Sequence, residues 1–398
     1  MFSKLPADIR KGFLTSADDL SQLKLINAGA VRKLAEEINR LTSSEIGERK
    51  LVVMLAAGGT IAMKTREGIR LPALAFDDLL GLANSRLQHH FKVVGLDAFN
   101  LDSSQMNYSH TRELAVVLAY LWNNIKLPFL GFVVTHGTDT LSYSSAAISL
   151  MMGQGLPFSI VYTGSQRPPE EPMSDIGVNF RNALFTLEAL HDNDMAEVLV
   201  VMGDRAMLAT SAEKVDDTGA NAFDSLRHRY VANFSRLQYP IQVADWLNPR
   251  RRAPFAPTIW PGDYSHTLVV KSTLGLNPQI IRQQAEMPEI RSIILYSYGT
   301  GTLDEAMLNV VMPVAEKRQI PVFVVNPVNS DYEVNYQSSA RAVQMGAVPL
   351  NMTLSAALAK TEIALRLHPD DKQAMARFMT SNYVGEIPSP SSRFAPVR

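Results

Sequence analysis

Two glycines and a threonine, Gly58-Gly59-Thr60, directly follow an apolar run at 51–57, a place where a hydroxyl can meet a substrate. In an open α/β sheet, ligands bind outside the carboxyl ends of the strands. Glycines there let backbone N–H groups approach a ligand and stabilise an oxyanion, and a threonine hydroxyl can attack a carbonyl. Taken alone, the tripeptide suits a tight turn with a helix-capping threonine better than it suits catalysis. A second apolar run ends in THGTDT at 135–140, which brings Thr138 and Asp139 to the same edge of the sheet as Thr60. An ionised Asp139 can accept charge-assisted hydrogen bonds from a substrate ammonium, or orient a base acting on Thr138. His136 lies beside them, but a histidine at a strand end reads as a hydrogen-bonded structural residue until a nucleophile is in its reach. Lys214 follows a third run, at 198–202. Considered singly it is an ordinary surface lysine, whereas burial beside hydroxyls and a carboxylate would let it lose its proton and act as a base.

The elements that must position these residues follow from the spacing of apolar segments. From Lys50 onward, runs at 51–57, 129–134, 158–162, 198–202, 292–297 and 322–326 alternate with amphipathic helical stretches. That pattern predicts an α/β fold with a mostly parallel, doubly wound sheet covered on both faces. Helices are predicted over 109–124, with Ser109 as its cap and Glu113 near its first turn, over 141–152 and over 177–192. A basic, proline-containing stretch at 248–254 lacks apolar periodicity and marks a boundary. The expected organisation is a helical extension at 1–49, a catalytic α/β domain at 50–245, a linker at 246–264 and a smaller α/β domain at 265–398. In the extension, Val31, Leu34, Ile38 and Leu41 recur at helical spacing. They predict a helix packed on the main body or on another subunit, with a fraying arm as the alternative.

Composition narrows the chemistry. Lys plus Arg (38) nearly balances Asp plus Glu (39), so no excess of positive charge is available for a nucleic acid partner. The chain of 398 residues has no cysteine, which excludes thiol nucleophiles, disulfides and cysteine-based zinc sites. The first residues lack the apolar core and cleavage site of a signal peptide and include Asp8, which points to the cytoplasm. The most apolar stretch, 146–162, is interrupted by Gly153, Gln154, Gly155 and Pro157, so no membrane span is expected.

Several blocks in a fixed order then carry a resemblance. AAGGTIAMK (56–64), DSSQMNYSH (102–110), VVTHGTDTLSYSSAAISLMM (133–152), YTGSQRP (162–168) and SDIGVNFRNALFTLEAL (174–190) resemble the bacterial L-asparaginase family, closest to its cytoplasmic type I branch. The similarity spans about 50–390 and is strongest before about 224. It implies a larger amino-terminal and a smaller carboxy-terminal α/β domain, assembled as a homodimer or homotetramer, acting on L-asparagine without a metal or organic cofactor. Carried over by position, Thr60 is implied to be the nucleophile, and Thr138, Asp139 and Lys214 the second catalytic group. Gly59, Ser104, Gln105, Thr138 and Asp139 are implied to bind substrate, with Asp139 and Gln105 at its α-amino end and Ser104 at its α-carboxylate. The implied route is a threonyl acyl-enzyme that loses ammonia and is then hydrolysed.

Two departures stand out. The family places a tyrosine on the loop after the first threonine, but residues 61–76 contain none, and Ile69 falls about where it would be. Thr300 stands where many members place an asparagine that reaches a neighbouring subunit, and Glu333 is a candidate for the corresponding acidic contact. A weak or inactive asparagine-binding sensor and the amidase subunit of a tRNA-dependent amidotransferase are therefore alternative readings. The latter normally carries a β-rich amino-terminal domain, which the helical 1–49 does not match.

Overall fold

A strand buried on both faces reads as a continuous apolar run because alternate side chains enter two separate cores. In the first strand, Val53 and Leu55 pack into one buried cluster while Val52 and Met54 pack into another. The computed structural model describes residues 19–59, 63–66, 69–72, 81, 85–235, 239–247, 254–260, 262–327 and 335–388. Its amino-terminal part contains α1 (Ala28–Arg40), the single turn α2 (Ser43–Ile46), β1 (Lys50–Ala56), β2 (Met63–Arg66), β3 (Ile69–Pro72), α3 (Ser85–His90) and β4 (Phe91–Asp97). Then follow α4 (Tyr108–Asn124), β5 (Gly131–Thr135), α5 (Leu141–Met152), β6 (Ser159–Thr163), α6 (Ile176–Asp192), β7 (Val198–Met202) and β8 (Arg205–Leu208). A hairpin of β9 (Ala212–Lys214) and β10 (Phe223–Ser225) precedes the short β11 (Ala232–Asn233).

The large sheet has the order β11-β8-β7-β6-β5-β1-β4. Its strands from β4 to β7 are parallel, and β8 and β11 add antiparallel pairs at one edge. The chain leaves β1 for β4 on one side and then crosses to β5 on the other, so β1 lies at the switch point where an open sheet leaves a crevice. A second sheet, β12-β13-β14-β15, is parallel throughout and consists of Thr267–Lys271, Ser292–Tyr296, Val322–Val325 and Val348–Leu350. The fold is therefore the expected α/β architecture with a large mostly parallel sheet and a smaller separate one. No helix among the described residues is long and apolar enough to cross a membrane.

Helix boundaries follow local capping. The predicted cap of α4, Ser109, lies inside the first turn, and Asn107 caps instead, accepting hydrogen bonds from the Ser109 and His110 amides. The Ser109 hydroxyl instead donates to the Asp263 carboxylate. Two eligible capping residues stand two positions apart, and the one able to pair reciprocally with His110 prevails.

The amino-terminal segment packs on its own chain. Val31, Leu34, Ala35 and Ile38 of α1 are buried in the cluster that contains Leu114, Leu118 and Leu121 of α4. The Asn39 side chain donates to Asn124 O at 2.9 Å and accepts from the Lys126 amide at 2.7 Å, which ties α1 to the end of α4. Glu113, nearly inaccessible to solvent, accepts three consecutive amides, from Lys24 and Leu25 at 2.9 Å and from Ile26 at 2.8 Å. One buried carboxylate thus satisfies three adjacent backbone N–H groups where the segment closes on α4. Glu113→Ala is expected to lower stability by about 2–4 kcal/mol. Urea unfolding monitored by circular dichroism checks this, and an unchanged midpoint would show that the amides find other acceptors.

Candidate active site

The loops that follow β1, β4 and β5 converge at the switch point because their backbones touch. Gly59 has φ +84°, and a Cβ added to it would overlap the Cα of Gly137. Gly137 is in turn pressed against the side chain of Ser103. Only residues without side chains allow this approach, and a positive φ adds a second reason for glycine at 59. The Gly59 amide donates to Leu101 O at 3.1 Å, so in this state it braces the loop after β4 and is not an open donor for substrate. The Thr140 hydroxyl donates to Ser103 O at 2.8 Å and closes the third side of the arrangement.

Ser104 and Gln105 sit in a short 3-10 turn held by Asp102, whose carboxylate accepts the Ser104 amide at 2.9 Å. Both are exposed, and Gln105 Nε2 lies 3.4 Å from Ser104 Oγ, so the two polar groups face solvent together. Thr138 and Asp139 occupy the turn between β5 and α5, Thr138 buried and Asp139 exposed. Thr60 and Glu333 lie outside the described residues. Ile69 is the first residue of β3, paired with Arg66 in the β2–β3 hairpin. Thr300 lies in the turn after β13, in the smaller sheet, where the Gly301 amide donates to Tyr298 O.

Lys214 ends β9 and reaches this cluster. Its Nζ donates to Thr138 Oγ1 at 3.1 Å and to Asp139 Oδ1 at 2.7 Å. A third acceptor, Asp217 Oδ1, lies 3.0 Å away. Burial alone would depress the Lys214 ammonium, but hydrogen bonds and charge from Asp139 and Asp217 outweigh it and hold the group above the ordinary lysine range. The expectation of a readily deprotonated lysine therefore does not describe this state. Two carboxylates, rather than the single one expected, keep it cationic. The sequence does carry a signal for the second, since Asp217 stands three residues after Lys214.

The neighbouring residue on β9 faces the other way. Glu213 accepts the Ser355 hydroxyl at 3.1 Å at the start of the helix Leu354–Leu367, while Thr353 donates to Thr210 O at 3.0 Å. Strand alternation thus sends Lys214 to the site and Glu213 to the helix that follows the smaller sheet. Burial pushes the Glu213 carboxyl up, and the helix-terminal amides and hydroxyls work against that shift.

His136 is fully buried, with Nδ1 2.8 Å from Gly137 O. Desolvation drives its pKa down to about 4, so the imidazole is neutral near pH 7. Its contact is with backbone, as expected of a structural histidine.

Comparisons with known proteins extend this picture. A family model described as Asparaginase, N-terminal matches residues 51–244. An L-asparaginase from Thermococcus kodakarensis is 30% identical over 341 residues, covering 84% of this chain and 98% of that protein. A glutamyl-tRNA(Gln) amidotransferase subunit from Methanothermobacter thermautotrophicus is 27% identical over 377 residues, covering 92% of this chain and 83% of its own length. Among solved structures, the thermostable L-asparaginase from Thermococcus kodakarensis superposes with a TM-score of 0.73 at 29% identity, covering 85% of this chain and 99% of that one. L-asparaginase I from Vibrio cholerae shares the fold, with a TM-score of 0.67 at 24% identity over 86% of this chain and 100% of that one.

The backbone contact generates its own test. Gly59→Ala forces a Cβ into Gly137 and strains a left-handed residue, and is expected to cost about 2–4 kcal/mol of stability. Chemical denaturation reads that loss, and wild-type stability would show that the loops separate without penalty.

Proposed function

The chain belongs to the asparaginase family of amidohydrolases, and from that premise we propose that it is a cytoplasmic L-asparaginase of the type I kind, working as a homo-oligomer. It would hydrolyse the side-chain amide of L-asparagine to L-aspartate and ammonia, with weaker action on glutamine. The observation that carries the reading is the Thr138–Asp139–Lys214 cluster, held against the glycine turn that immediately precedes Thr60.

In this reading, Asp139 and Gln105 receive the substrate's α-ammonium and Ser104 its α-carboxylate, which lays the carboxamide across the end of β1. The Thr60 oxygen bonds to the amide carbon, and its proton leaves toward a neighbouring base. Collapse of the tetrahedral intermediate breaks the carbon–nitrogen bond, and ammonia departs after gaining a proton. Water then attacks the aspartyl ester, with Thr138 and Lys214 relaying the proton. The Lys214 ammonium also supplies positive charge where negative charge develops. Docking of the substrate ammonium on Asp139 draws that carboxylate from Lys214 and so favours the neutral amine.

The match to a subunit of a tRNA-dependent amidotransferase gives a second reading. One observation favours the first: the relative named L-asparaginase is matched over 98% of its length, against 83% for the amidotransferase subunit. A non-hydrolysing asparagine sensor is the reading to which Ile69, in place of a loop tyrosine, would lead.

An ammonia-release assay separates these. The wild-type chain alone is expected to turn over asparagine. Thr60→Ala and Lys214→Met should each lower kcat by about a thousandfold or more while unfolding normally. Asp139→Ala should act chiefly on KM, because the substrate ammonium loses its counter-charge. Asparagine binding without turnover by the wild type would favour the sensor, and activity only with tRNA and a partner protein would favour the amidotransferase.

A further inference from the structure

An ammonium has three N–H donors and no acceptor, so its partners decide what it can do next. At Lys214 all three are engaged, by Thr138 Oγ1 at 3.1 Å, Asp139 Oδ1 at 2.7 Å and Asp217 Oδ1 at 3.0 Å. In that arrangement Lys214 donates to Thr138, so it cannot receive the Thr138 proton. Substrate binding frees only one of the two carboxylates, since the α-ammonium competes for Asp139 and nothing in the assigned pocket competes for Asp217.

We propose that Asp217 is a positioning residue of this site, a second clamp that holds Lys214 as an ammonium aimed at Thr138 until Asp217 swings away. The inference rests on the asparaginase reading for its catalytic meaning, but the clamp itself is a property of the ligand-free protein. Asp217 lies in the turn that joins β9 to β10, and its side chain is 86% exposed, so release into water meets little resistance. Once it leaves, Lys214 gives one proton to solvent water. The resulting lone pair on Nζ can then accept the hydroxyl proton of Thr138. The turn is organised to present this carboxylate. Asp216 is occupied locally, accepting the Thr218 amide at 2.8 Å and the Thr218 hydroxyl at 3.0 Å, while the Val215 and Asp216 amides both donate to Ala222 O.

The other charged groups around β9 do not substitute for Asp217. Glu213 is turned to the opposite face, onto Ser355, and Asp216 is held by Thr218. The groups facing Lys214 Nζ from the packed elements are thus Asp139, from the loop after β5, and Asp217, from its own hairpin. Removing one opposite charge lowers the pH at which the amine deprotonates, so the neutral base appears at more acidic pH. With the lysine held high, activity that needs the neutral amine is lost as pH falls, and Asp217→Asn moves that loss to lower pH.

The test compares the full chain with Asp217→Asn and Asp217→Glu. The Lys214 amine is labelled with acetic anhydride at a series of pH values without substrate, and the Lys214 peptide is quantified by mass spectrometry. Ammonia-release kcat/KM is measured over the same pH range. In Asp217→Asn, labelling and kcat/KM on the acidic limb should both rise about threefold, a discount suited to so exposed a carboxylate. Asp217→Glu should return both toward wild type, and unfolding midpoints should not change. Superimposable labelling curves for wild type and Asp217→Asn would overturn the clamp. An active enzyme whose pH profile ignores the substitution would overturn its role in the reaction. Displaced labelling in a protein that releases no ammonia would keep the clamp and remove the asparaginase reading.

Discussion

The contact of Gly59 with Gly137 sets how close the ends of β1 and β5 can come, and the rest of the site is arranged around that closeness. Neighbouring parallel strands lie about 5 Å apart but the loops that leave them are free to diverge, so side chains on two such loops cooperate only if the backbones beyond the strands bend together. A side chain on either glycine would hold them apart. The switch point of the sheet supplies the room for this, because β1 sends its chain to one side before the chain crosses to the other. The loop after β4 enters the same crevice and is fastened by the Gly59 amide and by the Thr140 hydroxyl. Ser104 and Gln105 are presented to solvent as a consequence.

Charge is the second layer. Lys214 arrives from a strand outside the large sheet, and its reach into the crevice depends on how β9 is anchored. Glu213 anchors it on the opposite face, at the start of the helix Leu354–Leu367, where unpaired amides favour a carboxylate. One strand therefore joins the site to the segment that follows the smaller sheet. Within the crevice, two carboxylates outweigh burial and keep the lysine cationic, while burial without any carboxylate keeps His136 neutral. These two basic side chains thus have opposite electrostatic characters beside the same threonine-bearing turn.

Much of this arrangement is legible in the chain. The runs at 198–202 and 292–297 match β7 and β13 to within a residue, and 141–152 coincides with α5, because buried parallel strands and their covering helices are apolar over their whole length. The strands β4, β9, β10 and β15 escape that reading. β4 is an edge strand with half-buried residues, β9 and β10 are three residues long, and β15 contains Pro349. The Lys214–Thr138 contact is accessible only through resemblance, since 76 positions separate the two and no local pattern links them. Asp217 is signalled only by standing three residues after Lys214, and Glu213 carries no motif; its part follows from the side of β9 that it faces. The attachment of the amino-terminal segment is half legible. The stripe of Val31, Leu34 and Ile38 announces a buried face, but a lone Glu113 gives no sign that three amides of residues 24–26 close on it.

If the residue after Gly59 is the nucleophile, as proposed, with Thr138 and Lys214 serving the second half of the reaction, the acyl group of the intermediate must sit on Thr60. The most direct measurement is acid quenching during turnover of asparagine, followed by mass-spectrometric mapping of the peptide that carries the acyl group. The account predicts an aspartyl ester on Thr60, accumulating further when Thr138 is replaced by valine because ester hydrolysis is slowed. An ester on Thr138, or sustained ammonia release with neither threonine ever acylated, would contradict it.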